Sequence, residues 1–170
     1  MKNKFSYSII AFIALISVIL TEGCKKTTES PYVDKGYLVF TGDGSFKQMM
    51  PLVSDTLKGT AKFVGVYDNN SKNFNYKLSW SKLSTTMTTA RFYGPAVVGQ
   101  IGITLRDITT LQVRPVTDSL TGVIWAYSKL SDIELANLKN GKWYYTISTQ
   151  LNTGGEVRGQ ITYQRTFYSK

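Results

Sequence analysis

The chain has no histidine and one cysteine, Cys24. Ordinary zinc, copper and haem sites are built on those two side chains, so this sequence offers no such centre, and His-based nucleophile triads are excluded with them. No metal and no cofactor is expected. Acidic side chains are outnumbered, 11 against 20 Lys and Arg, for a formal net charge of +9. The basic residues are scattered rather than run together, which is the pattern of a solvated surface. Long apolar runs are missing as well: residues 9–20 are apolar and uncharged, but a dozen or so residues fall short of the ~20 that span a bilayer as a helix. A chain of 170 residues is expected to form one domain with a real hydrophobic core.

What is present begins with Lys2 and Lys4 ahead of that apolar run, a signal-peptide layout. The run ends in Leu20-Thr21-Glu22-Gly23-Cys24, which resembles the lipobox of bacterial lipoproteins, although Leu20 stands one place further from the cysteine than the usual pattern and Glu22 is an unusual occupant. The resemblance implies cleavage after residue 23 and a lipid on Cys24. Lipidation also accounts for the single unpaired cysteine of an exported chain. Residues 1–23 are therefore read as a lipoprotein signal peptide, residues 24–35 as a polar tether, and residues 36–170 as one domain. The several acyl chains of a mature lipoprotein anchor stably. The expected location is the cell envelope, at the outer membrane. Lys25-Lys26-Thr27-Thr28-Glu29 lacks the acidic cluster that directs some related lipoproteins to the cell surface, which favours the periplasmic side. Loss of residues 1–23 removes two lysines and one glutamate, so the mature domain stays basic. The partners expected of such a domain are the membrane, through the lipid, and a protein or anionic polysaccharide, not nucleic acid.

From residue 36 onward, short segments of period two alternate with Gly, Asn, Asp and Ser clusters, the signature of an all-β sandwich or barrel. In NFNYKLSW, Phe74, Tyr76, Leu78 and Trp80 alternate with Asn73, Asn75, Lys77 and Ser79, giving one apolar and one wet face. Trp143, Tyr145 and Ile147 alternate with Tyr144, Thr146 and Ser148, and the last strand sets Val157, Ile161, Tyr163 and Phe167 against Glu156, Arg158, Gln160, Thr162 and Gln164. Further strands are expected at residues 37–41, 60–67, 88–93, 101–105 and 122–127. About eight strands suit two packed antiparallel sheets with Greek-key connections. One segment departs from the pattern: Ser131 and Glu134 form a capping box ahead of Leu135, Leu138 and Gly141, which predicts a short helix over residues 132–139.

The stretch LNTGGEVRGQITYQ reads as a turn feeding a strand, and its core, Gly155-Glu156-Val157-Arg158-Gly159-Gln160-Ile161, resembles the closing Gly-Glu-Ile-Arg-Gly-Gln-Ile signature of the chordin-domain (CHRD) family. Arg91-Phe92-Tyr93-Gly94-Pro95-Ala96 is similar to that family's His-Ile-His-Gly-Pro-Ala segment, and Met50-Pro51-Leu52-Val53 with Gly59-Thr60-Ala61-Lys62-Phe63 is similar to its first strand pair. The resemblance covers most of residues 36–165. It implies an immunoglobulin-like or superoxide-dismutase-like β-sandwich, found in bacterial exported proteins and extracellular animal proteins that bind growth factors, and it implies no activity. Where the family pattern has histidines this chain has Arg91 and Tyr93. The resemblance therefore carries over no metal or proton-transfer role to those positions, and copper-zinc dismutase activity is excluded by composition. Glu156 and Arg158 lie two apart on one strand face, within reach of each other or of neighbours across the sheet. The motif residues Gly155, Glu156, Arg158, Gly159 and Gln160 are expected to be structural, locking a sheet corner, with a ligand-binding pair as the alternative. Gly159 leaves a gap on the opposite face that suits a bulge or the close approach of another segment.

No acidic pair is spaced to suggest a glycosidase, and no motif singles out one serine as a nucleophile. The run Asp68-Asn69-Asn70-Ser71-Lys72-Asn73 faintly resembles a calcium loop, but Lys72 stands where an oxygen ligand is needed, so a turn is expected. Asp55-Thr56-Leu57 and Asp118-Ser119-Leu120 are similar to a short O-glycan acceptor pattern of some exported bacterial proteins. Tyr144, opposite Trp143 and Tyr145, is placed to be exposed and, with Arg91 and Tyr93, is a candidate binding residue. The reading is a non-catalytic binding or structural module. Its rival is a metal-independent enzyme that uses carboxylates on envelope polysaccharide.

Overall fold

A computed structural model describes residues 36–110, the backbone of residues 113–115, and residues 120–164. Cys24, the residues expected to form a signal peptide and tether, and Phe167 lie outside the described residues, as do Asp118 and Ser119. The described residues form nine strands: β1 Tyr37–Ser45, β2 Thr60–Asp68, β3 Asn73–Ser81, β4 Met87–Gly94, β5 Ile103–Asp107, β6 Val113–Pro115, β7 Gly122–Lys129, β8 Trp143–Thr149 and β9 Val157–Gln164. All pairs are antiparallel. The strand order is β5-β4-β8-β9-β1-β2-β3-β7-β6, so the all-β expectation holds. Chain connections β3 to β4, β5 to β6 and β7 to β8 cross between the two halves, the long returns of Greek-key architectures.

The two expected sheets are joined through β1 and β9 into one sheet that curls back on itself. Opposite halves meet through aromatic rings. Phe92 on β4 lies 5.1 Å from Tyr76 on β3 and 5.7 Å from Phe63 on β2, and Tyr145 on β8 lies 6.0 Å from Phe63. These contacts exist because every second residue of the central strands is apolar and points inward, as in β2, where Ala61, Phe63 and Tyr67 are buried and Thr60, Lys62 and Val64 are exposed. Fully burying side chains of this kind contributes about 1.5–3 kcal/mol each.

The first strand runs four residues past the expected end at Thr41. Gly42 and Gly44 look like turn residues in the sequence, but here they admit close neighbours. A Cβ at Gly42 would stand 2.5 Å from the Gln160 carbonyl oxygen, and one at Gly44 2.5 Å from the Tyr145 hydroxyl. The ladder between β1 and β9 is interrupted over this segment, with Thr41 opposite Thr162 and Ser45 opposite Arg158. The three-residue β6 and a single 3-10 turn at Phe46–Gln48 are too short to leave a periodic signal.

The helix α1 spans Asp132–Lys139. Ser131 Oγ accepts from the Glu134 backbone N–H, and Glu134 Oε2 accepts from the Ser131 N–H at 2.8 Å. Leu138 is fully buried. Arg106 Nη2 donates to Glu134 Oε1 at 2.6 Å, tying the helix to β5. Burial alone would raise the Glu134 pKa. The hydrogen bonds from the Ser131 N–H, Arg106 and the Ser131 hydroxyl, together with the Arg106 charge, outweigh it and hold the carboxyl below its ordinary 4.5.

A carboxyl depressed in the folded state stabilises above its ordinary pKa and loses that contribution as pH falls through the folded value. Glu134→Gln is therefore expected to cost about 0.5–2 kcal/mol at pH 7. In urea melts the difference from wild type should shrink as pH drops from about 5 toward 3. A gap that stays constant with pH would contradict this role.

Candidate functional site

The Gly155–Ile161 segment closes the β8–β9 hairpin and opens β9. Its side chains reach three other parts of the chain. Glu156 has no solvent exposure. Its carboxylate accepts from the Ser84 N–H at 2.7 Å, the Ser84 hydroxyl at 2.5 Å, the Thr149 hydroxyl at 2.8 Å and the Asn152 amide at 3.1 Å. A buried carboxylate is tolerated only when hydrogen bonds replace its water, and four donors do so here. The loop after β3 is thereby fixed to the hairpin.

Arg158 is 4% exposed and does not pair with Glu156. Its Nη2 donates to the Gln100 carbonyl at 2.6 Å, and its guanidinium lies 3.7 Å from the centre of the Tyr144 ring. A planar cation over an aromatic face is a favourable arrangement when desolvated. Burial lowers its pKa from the ordinary arginine value, with Tyr144 acting the other way. Gln160 Nε2 donates to the Ala96 carbonyl at 2.9 Å and the Gly141 carbonyl at 2.6 Å. Arg158 and Gln160 together hold the loop between β4 and β5.

The two glycines of the motif admit neighbours. Gly155 has φ +124°, and a Cβ there would stand 2.5 Å from both Met49 Cε and Thr146 Cγ2. At Gly159 a Cβ would overlap the Tyr145 ring. That ring occupies the gap expected from the sequence, and its hydroxyl donates to the Gly42 carbonyl at 3.1 Å. Burial raises the Tyr145 pKa far above the usual tyrosine range.

Tyr144, expected to be exposed, is 4% exposed. The sequence pattern placed it correctly on the outer face of β8, but that face is covered. Its ring stacks on Tyr93 at 5.1 Å and 8° and lies under Arg158, and its hydroxyl accepts from the Gly102 N–H at 3.1 Å. Arg91 instead forms a surface ion pair with Asp107 at 2.9 Å. Hydrogen bonds from Thr109 and then from Arg91 hold the Asp107 pKa below its usual value, against the opposing effect of burial. Asp68 accepts from the Asn70 N–H at 2.9 Å and the Ser71 hydroxyl at 2.7 Å, and the Lys72 N–H donates to the Asp68 carbonyl at 2.8 Å, so the segment with a faint calcium-loop look is a four-residue turn between β2 and β3. Among the described residues no three metal-ligating side chains gather.

A second feature lies on the outer face of β2, β3 and β7. Two rows run across these strands in register, Val64–Lys77–Trp125 and Val66–Asn75–Tyr127. They line a shallow groove of about 800 Å³. Trp125 is 52% and Tyr127 72% exposed, and Lys77 Nζ stands 4.8 Å from the Trp125 ring centre. The sequence reading recognised the strand at residues 122–127 without singling out this face. The signal was there: in GVIWAYSK, Ile124 is the inward residue, which leaves Trp125 and Tyr127 outward on the alternate positions.

A family model described as the CHRD domain matches residues 40–161. Comparison with curated proteins and with solved structures finds no match.

Glu156→Gln leaves a neutral group facing four donors and is expected to cost about 1.5–3 kcal/mol, read as a lower Tm. Arg158→Ala should cost about 1–3 kcal/mol. Arg158→Lys should recover only part of that, because an ammonium does not stack flat on Tyr144. Full recovery by lysine would show that charge alone matters at this position.

Proposed function

Because the chain belongs to the CHRD-domain family, we propose that it is a lipid-anchored envelope protein whose domain is a non-catalytic binding module. In this reading Cys24 carries the lipid, residues 24–35 tether the domain, and the protein sits at the outer membrane. Its partner is a protein or an anionic polysaccharide.

The observation that supports this most strongly is the exposed three-strand face. Its large apolar groups, Val64, Trp125 and Tyr127, are exposed together beside Lys77 and Asn75. Exposed apolar patches with polar neighbours mark interaction surfaces. The charged motif residues argue in the same direction, since Glu156 and Arg158 are buried and bound to protein groups. Their chemistry holds loops in place and leaves neither available to act on a substrate.

Two experiments bear on this reading. Wild type is expected to take up labelled fatty acid and Cys24→Ser is not, whereas equal labelling of both would remove the anchor. Crosslinking from intact cells should recover a reproducible partner with wild type and lose it with a Trp125→Ala, Tyr127→Ala double variant that melts like wild type. An unchanged partner set would show that the face is not used.

A further inference from the structure

The geometry points to the β2–β3–β7 face as a site for an anionic polysaccharide, with sugar rings laid on Trp125 and Tyr127 and their acidic groups met by lysines. This assignment rests on the binding-module reading and names its ligand class. Three observations support it. The two rings are alternate residues of one strand, which sets their backbones about 6.8 Å apart along it, a spacing that presents a strip of aromatic surface to an extended chain. Asn75 stands directly across from Tyr127 and Lys77 directly across from Trp125, so each ring has a polar group beside it for a hydroxyl or carboxylate.

The third observation is charge. Lys62 on β2, Lys77 on β3 and Lys129 on β7 all belong to the outer face of these strands. Among the described residues, the acids on this side are Asp43, directly across from Lys62, and Asp68, engaged with Ser71 and Asn70 in its turn. Cations therefore predominate around the groove, in a chain whose net charge is +9. A purely apolar partner would leave Lys77 and Asn75 without hydrogen bonds, and a simple polyanion would leave the two rings uncovered. A sugar chain bearing carboxylates or sulfates satisfies both.

The molecule contains its own probe. Of three tryptophans, Trp80 and Trp143 are 5% and 1% exposed, so fluorescence changes on ligand binding report Trp125. The full chain, in a neutral detergent, would be titrated with polygalacturonate, with uncharged dextran and with polyglutamate. Polygalacturonate is expected to alter the emission and shield it from acrylamide. By affinity electrophoresis, Trp125→Ala and Lys77→Gln should each weaken retention by about tenfold, Lys77→Gln should also flatten its salt dependence, and Lys47→Gln should change nothing. Equal binding of dextran, or polyglutamate binding that is indifferent to Trp125→Ala, would overturn the proposal. Failure of every polymer while a protein partner is still captured through this face would overturn the ligand class and leave the binding module standing. Failure of both would remove the two together.

Discussion

A carboxylate sealed from water is the constraint around which much of this domain is arranged. Glu156 lies at zero exposure, and leaving such a charge without partners would cost several kcal/mol. Its donors come from the loop after β3, from the end of β8 and from the hairpin turn. Ser84 is 72 residues away in sequence, so satisfying one side chain closes a long loop of chain. Arg158 and Gln160 then do the same for the loop between β4 and β5, through backbone carbonyls rather than acids.

The strand carrying these groups has two different faces. Inward, Val157 and Ile161 join the core while Gly159 makes room for Tyr145. Outward, Arg158 and Gln160 are held under the loop between β4 and β5, while Thr162 and Gln164 further along the strand are exposed. The outer surface over Arg158 and Tyr144 is thus closed. On β2, β3 and β7, none of the described residues covers Trp125 and Tyr127 in this way, and both stay exposed. A fold that fixes its loops with one part of the sheet can present another part of it to a ligand.

Much of this was legible in the chain. Strict alternation located the long strands, because a half-buried strand must put its apolar residues on one side, and the Ser131–Glu134 box located α1 because its reciprocal hydrogen bonds are local. Burial was harder to read. Tyr144 and Arg158 occupy outward positions and would be exposed on a bare sheet, but the covering loop comes from residues 95–102, far away in sequence, and no local pattern encodes that approach. The first strand, expected to end at Thr41, runs on through Gly42 and Gly44 for a related reason: their missing side chains admit the Gln160 carbonyl and the Tyr145 hydroxyl, contacts that no local pattern encodes. The groove aromatics were readable from the alternation in β7 once one inward residue, Ile124, had been fixed.

The central claim is that the buried Glu156 carboxylate makes the loop after β3 and the β8–β9 hairpin part of one cooperative unit. Native-state hydrogen exchange at the Ser84 amide, which donates to that carboxylate at 2.7 Å, tests it most directly. The account predicts that Ser84 exchanges only through global unfolding, with the same opening free energy and denaturant dependence as the amides of core strands β8 and β9. Exchange of Ser84 through a low-energy local opening, independent of denaturant, would contradict it.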